Sequence, residues 1–214
     1  MKQPLLKSLI LLTIIGFASL AATAQSFEGT IEFKKKTTAD TTKYIYYVKG
    51  DKIRIDEIGA KSGKPEGTFL VDTKESKMIS LSHERKIFMD KSQGAPPIIN
   101  GKPAVSKTKN TKTIQGYKCT EYVVKNTEEN TKISYWVASD KFDFFPRLLK
   151  LLNRKDKFST YYQQLNDVDG MFPFLAVESP MDGKEKGRLE VTKIEKKPME
   201  ASLFEIPKDY KKFE

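Results

Sequence analysis

The sequence predicts a single β-rich α+β domain: a curved antiparallel sheet, or an incomplete barrel, with a short helical insertion packed on it. Three observations carry that expectation. Most of the chain beyond residue 25 alternates apolar and polar side chains with period two, the pattern of half-buried strands. The connections between these runs are short and charged or glycine-bearing, which makes sequential strands antiparallel neighbours. Helical spacing occurs in one stretch only, about residues 140–165.

Residues 1–24 stand apart from this pattern. Lys2 and Lys7 form a basic start, an apolar run follows from Leu9 to Leu20, and Ala22-Thr23-Ala24 supplies small residues before Gln25. This is the layout of a secretory signal peptide with cleavage expected after Ala24. The apolar run is roughly a dozen residues, short of the ~20 that span a bilayer. An exported domain covering residues 25–214 is therefore expected.

Within that domain, Phe27, Gly29, Ile31 and Phe33 alternate with Glu28, Thr30, Glu32 and Lys34. Tyr44–Val48 and the run Ile53, Arg54, Ile55 flank Gly50-Asp51, which predicts a hairpin. A meander follows over 68–72, 77–81 and 86–89, with charged turns at 73–76 and 82–85. Residues 91–106 carry Gly94, Pro96, Pro97, Gly101 and Pro103 and predict a loop, because proline withholds a ladder donor. Strands resume at 112–115, 117–124 and 132–138.

Phe142, Phe145, Leu148, Leu149 and Leu152 then share one helical face, with Pro146 tolerable in the first turn. Phe158, Tyr161, Tyr162 and Leu165 repeat the spacing behind Asp156, a candidate N-cap. Asp182-Gly183 between two apolar runs predicts a tight two-residue hairpin. Phe204, Ile206 and Tyr210 are expected to tie the tail to the core. The sum is nine or ten strands.

Composition narrows the function classes. The formal charge is +10, and an exported basic chain points to an anionic membrane surface or an acidic envelope partner rather than nucleic acid. The lysines are scattered, which also fits an ordinary solvated surface. Cys119 is the sole cysteine, so no internal disulfide forms, and its place in a strand-like run predicts a buried thiol. His83 is the sole histidine and falls in the charged turn Ser82–Arg85, where a solvated side chain is expected. One Cys and one His far apart make no zinc site. Asn166-Asp167-Val168-Asp169-Gly170 resembles a calcium loop, but Leu165 stands where a first oxygen ligand is needed. No phosphate loop, nucleophile triad or placed carboxylate pair is evident, so no catalytic residue, cofactor or metal is assigned, and a monomer is expected.

The remaining excess is aromatic: thirteen Phe, nine Tyr and one Trp. Several lie on strands apolar on both faces, which then touch two layers. One layer is the helical insertion; the other is a ligand cavity, a partner, or more core. The candidate ligand-binding residues are Phe33, Tyr46, Phe88, Tyr122, Trp136, Phe145, Leu149 and Phe174, with Ile98 and Ile99 of the proline loop as a lid.

Four short motifs carry a family resemblance: Gly116-Tyr117-Lys118-Cys119, Trp136-Val137, the hairpin Lys49–Arg54, and Phe204-x-Ile206-Pro207. Together they resemble an uncharacterised group of secreted envelope proteins of Gram-negative bacteria, a domain of unknown function. That group is similar in fold to the LolA/LolB lipoprotein carriers, in which a curved antiparallel sheet wraps a hydrophobic cavity beneath helices. The resemblance implies a periplasmic or secreted binder of a lipidic or apolar small molecule. The competing expectation is an envelope interaction protein with a filled core and a basic face.

Overall fold

Twelve strands form one open, curved, mixed sheet in the computed structural model, which describes residues 26–213. The expected signal peptide lies outside the described residues. The first six strands form a meander: β1 (Glu28–Lys36), β2 (Thr41–Lys49), β3 (Lys52–Ile58), β4 (Pro65–Asp72), β5 (Lys77–Ser82) and β6 (Ile87–Asp90). A second meander holds β7 (Ala104–Ile114), β8 (Tyr117–Asn126), β9 (Thr131–Ser139), β10 (Met171–Ser179) and β11 (Gly187–Lys196). Pairing of β1 with β11 joins the two into one sheet. Gly29 sits at that junction: a Cβ there would lie 2.0 Å from the Glu195 carbonyl oxygen, so only glycine lets the strands meet.

The short turns follow their sequence. Gly50-Asp51 links β2 to β3 in two residues, with Gly50 at φ 58°. The expected tight turn at Asp182-Gly183 does not form. Residues 180–186 make a longer connection, closed by the Lys186 N–H donating to the Glu178 carbonyl at 2.8 Å. Pro180 has no N–H to extend the ladder, and Gly183, without a left-handed φ, packs over the Pro180 ring.

Two further boundaries differ from expectation. Strand β7 begins at Ala104, inside the expected loop, and runs eleven residues. It is an edge strand wet on both sides, so its polar run Ser106–Thr113 lacks the alternation that marks half-buried strands. The tail adds β12 (Lys211–Lys212), which pairs parallel to β6 and is the one departure from antiparallel order. Both sheet edges thus carry lysines, a charge that discourages edge-to-edge pairing.

The helical insertion is two helices, α1 (Phe144–Leu152) and α2 (Lys157–Tyr162). Asn153 ends α1 in the left-handed conformation, its N–H bonded to the Leu149 carbonyl at 3.1 Å. Asp156 caps α2 by accepting from the Ser159 N–H at 3.3 Å. Their apolar sides pack on one face of the sheet in a cluster around Phe142, whose ring lies 4.9 Å from Phe27 and 5.5 Å from Phe172. Each well-placed ring pair contributes about 0.5–1.5 kcal/mol beyond its buried area. Among the described residues no helix is long and apolar enough to cross a membrane.

The opposite face is covered differently. After β11 the chain crosses outside β3, with a 3-10 turn at Ala201–Phe204, and lays Ile206 and Tyr210 over Leu70, Ile79 and Leu81. Of the three residues expected to tie the tail to the core, Ile206 and Tyr210 pack on this smaller cluster, and Phe204 lies in the 3-10 turn beside β3.

Candidate functional site

Helices laid across a curved sheet do not fill every gap, and the seam between them and the central strands leaves a crevice. Phe33 of β1 and Tyr44 and Tyr46 of β2 form one wall. Phe145, Leu149 and Leu152 of α1 form the other, with Phe158 of α2 and Leu189 of β11 closing the ends. The space measures about 40 Å³, room for roughly three water molecules. It accepts the end of an alkyl chain and not a whole lipid.

Three charged side chains reach this otherwise apolar lining: Lys35, Arg154 and Asp156. Lys35 and Asp156 pair with each other at 3.3 Å. Arg154, in the link between the helices, has no carboxylate within ion-pair distance among the described residues. Its guanidinium lies 5.8 Å from the centre of the Tyr44 ring. Burial works against its charge, yet the Tyr46 and Tyr44 phenols and Asp156 outweigh that and hold its pKa above the ordinary value. Burial pushes the Tyr46 phenol up to about 12, so it is a neutral donor at physiological pH.

Of the ten expected ligand-binding residues, Phe33, Tyr46, Phe145 and Leu149 line this crevice. The other six are elsewhere. Phe174 is fully buried in the aromatic cluster, 4.6 Å from the Tyr117 ring. Tyr122 is buried in the same cluster, and its hydroxyl has no hydrogen-bond partner. Trp136 is half-buried beneath Lys112, whose ammonium lies 4.0 Å from the ring centre. Phe88 belongs to the small cluster under the tail.

Ile98 is 87% exposed. Ile99 packs against the large cluster and lines an open groove between the proline loop and the outer side of the helices. Neither isoleucine lines the crevice, because Asn153 pins the loop to the end of α1 by donating to the Gly94 carbonyl at 2.7 Å. Sequence reasoning missed Arg154. An arginine in an interhelix link has no periodicity to mark it, and what sets it apart is the missing acid, visible only in three dimensions.

His83 is not the solvated turn residue expected. Its Nε2 lies 2.7 Å from Thr68 Oγ1 and its Nδ1 2.6 Å from the Tyr210 hydroxyl. Thr68 donates to buried Asp56 at 2.6 Å, and Asp56 also accepts from Arg54 Nε at 2.9 Å. The threonine's one proton is thus spent on the carboxylate. In the neutral imidazole, Nε2–H must then donate to Thr68, and Tyr210 donates to Nδ1. Cys119 is buried as expected, its thiol pushed up to about 11 by burial.

No curated protein matches the chain in sequence. Among solved structures, an uncharacterised conserved protein of Thermus thermophilus is similar at TM-score 0.54 and 9% identity, covering 89% of this chain and 91% of that one. It shares the fold. Weaker likenesses are a chain of the Pseudomonas aeruginosa MucA/MucB complex (TM-score 0.45, 12% identity, 83% of this chain and 54% of that one) and a DUF1329 family protein of Desulfovibrio piger ATCC 29098 (TM-score 0.35, 9% identity, 85% and 91%). One family model spans nearly every described residue, 27–210, and by it the chain belongs to the family described as a domain of unknown function, DUF4412.

Proposed function

We propose that this protein is an exported, non-catalytic binder of an apolar or lipidic ligand in the cell envelope, with the ligand entering the seam between the helices and the sheet. The observation that carries the reading is the crevice itself. It is walled by aromatic and aliphatic side chains, lies at a junction of layers, and has a few polar groups in its lining, the usual composition of a small-molecule site. A chain longer than a few carbons needs α1 and α2 to move outward. The signal-like start of the sequence supports the periplasm, or the exterior of a Gram-negative cell, as the place of action.

A second reading is favoured by one measurement. The crevice's 40 Å³ is far below the ~300 Å³ typical of small-molecule pockets, which suits an interaction protein with a filled core. Such a protein would present its lysine-bearing surface to an acidic envelope partner. Native mass spectrometry of protein purified from its own host separates the two. A reproducible bound lipid mass supports the binder, and a clean unliganded mass together with co-purification of a stoichiometric acidic protein supports the alternative.

A further inference from the structure

We propose that the crevice takes a single-chain amphiphile with one anionic head group, and that Arg154 seats the head. This rests on the binder reading and adds the class of ligand. The link between α1 and α2 places Arg154 in the lining of the crevice with Tyr44 and Tyr46, its guanidinium 5.8 Å from the Tyr44 ring centre. The acid nearest in sequence, Asp156, is already committed: it pairs with Lys35 at 3.3 Å and accepts from the Ser159 N–H at 3.3 Å and hydroxyl at 2.9 Å. The two phenols cannot serve as counter-ions, because burial keeps both protonated at physiological pH.

Its surroundings keep the half-buried guanidinium charged, yet among the described residues no carboxylate lies within ion-pair distance of it, so an anionic ligand would supply its first direct ion pair. A guanidinium suits a carboxylate or phosphate oxygen pair, since its planar fork donates two parallel bonds. Behind that charge the walls are hydrocarbon, from Leu149 and Leu152 to Phe158. A cation set in a mostly hydrocarbon lining matches a ligand that is anionic at one end and alkyl at the other. The small volume admits the end of one alkyl chain, and a longer single chain enters as α1 and α2 move outward.

The test is titration calorimetry with four probes below their micellar concentrations: decyl phosphate, decanol, decyltrimethylammonium and inorganic phosphate. Decyl phosphate should bind more tightly than decanol by about tenfold or more, and the cationic probe least. Arg154→Gln should bring decyl phosphate down to the decanol affinity and leave decanol unchanged, whereas Arg154→Lys should keep part of the preference. Leu149→Trp, which fills the crevice, should abolish binding of both, and circular dichroism melts establish that each variant is folded. Equal binding of decyl phosphate and decanol by the unaltered protein overturns the head-group inference and leaves the binder standing. Inorganic phosphate binding as tightly as decyl phosphate overturns it in favour of a free-anion site. Failure of every alkyl probe to bind overturns the binder reading itself.

Discussion

Strands β3 and β4 present opposite chemistry on their two sides. Toward the helices they place Ile53, Ile55 and Val71, which join the large cluster of aromatic and aliphatic side chains. Toward the tail they place Arg54, Asp56 and Thr68, which begin a chain of hydrogen bonds ending at Tyr210. The helix side is held mainly by area and shape, where many weak contacts add, with a few buried bonds such as Tyr135 to the Phe158 carbonyl. The tail side joins a small apolar cluster of Leu70, Ile79 and Leu81 to directional bonds, each needing its own partner. The contrast suggests that the helix side tolerates change that preserves volume, while the tail side tolerates change only when both members of a pair go together.

The largest expected effect is on the helix side. Phe142 is fully buried and its ring lies within 6.5 Å of five other rings. Phe142→Ala should cost about 3–5 kcal/mol in denaturant unfolding, and Phe142→Leu clearly less. A loss from Phe142→Ala no larger than a surface substitution would mean that the cluster is not the stabilising core.

On the tail side, Asp56 is 1% exposed and holds both Arg54 and Thr68. Removing the acid alone leaves a mostly buried guanidinium without its anion, so Asp56→Ala should cost about 2–4 kcal/mol. Replacing both partners, Arg54→Met with Asp56→Leu, should cost less than Asp56→Ala by itself. A double variant as damaged as the sum of the two singles would contradict the pairwise account and merge the two faces into one kind of packing.

These differences also explain what could be read from the chain. The alternation of Phe27–Lys34 and Tyr44–Val48, the hairpin at Gly50, the cap at Asp156 and the helical face of α1 all express local periods. A local period survives in sequence order. The relay does not, because Asp56, Thr68, His83 and Tyr210 come from four places that only the sheet and tail bring together. His83 taken alone looked like a wet turn for that reason. Half-legible features failed on context: Asp182-Gly183 promised a tight turn that Pro180 prevents, and Ile98 promised a lid that the Asn153 contact with Gly94 holds aside. For the crevice, four of the ten expected residues, Phe33, Tyr46, Phe145 and Leu149, line it, but periodicity does not say which strand face is concave, and the lack of an ion-paired carboxylate at Arg154 has no sequence signature.

A smaller effect tests the tail directly. The Tyr210 hydroxyl lies 2.6 Å from His83 Nδ1, and the residue sits just before the parallel pair with β6. Tyr210→Phe keeps the ring over Leu70 and Ile79 but removes the hydroxyl, so it should cost about 1 kcal/mol. Hydrogen exchange should quicken at the amides of Lys211 and Phe213, which donate to Lys86 and Phe88, while amides in β8 and β9 stay protected. Uniform quickening across the sheet would show instead that the tail is part of one cooperative unit with the helix side.

The smallest effect has the opposite sign and lies within the helix side. Tyr122 is 2% exposed, yet its hydroxyl meets no donor or acceptor. Its ring carries the useful contacts, including the Lys107 ammonium 5.3 Å from its centre, and Phe would retain them. An unsatisfied buried hydroxyl carries a desolvation cost of roughly 1–3 kcal/mol, part of which returns as a small void when the oxygen is removed. Tyr122→Phe should therefore raise stability by about 1 kcal/mol, read as a higher denaturant midpoint at unchanged slope. Other tyrosines of this face have partners, Tyr135 donating to the Phe158 carbonyl at 3.0 Å and Tyr162 to the Met171 carbonyl at 3.2 Å. A lower midpoint would show that the hydroxyl is hydrogen-bonded in solution, and would add one more directional bond to those that Tyr135 and Tyr162 make on this face.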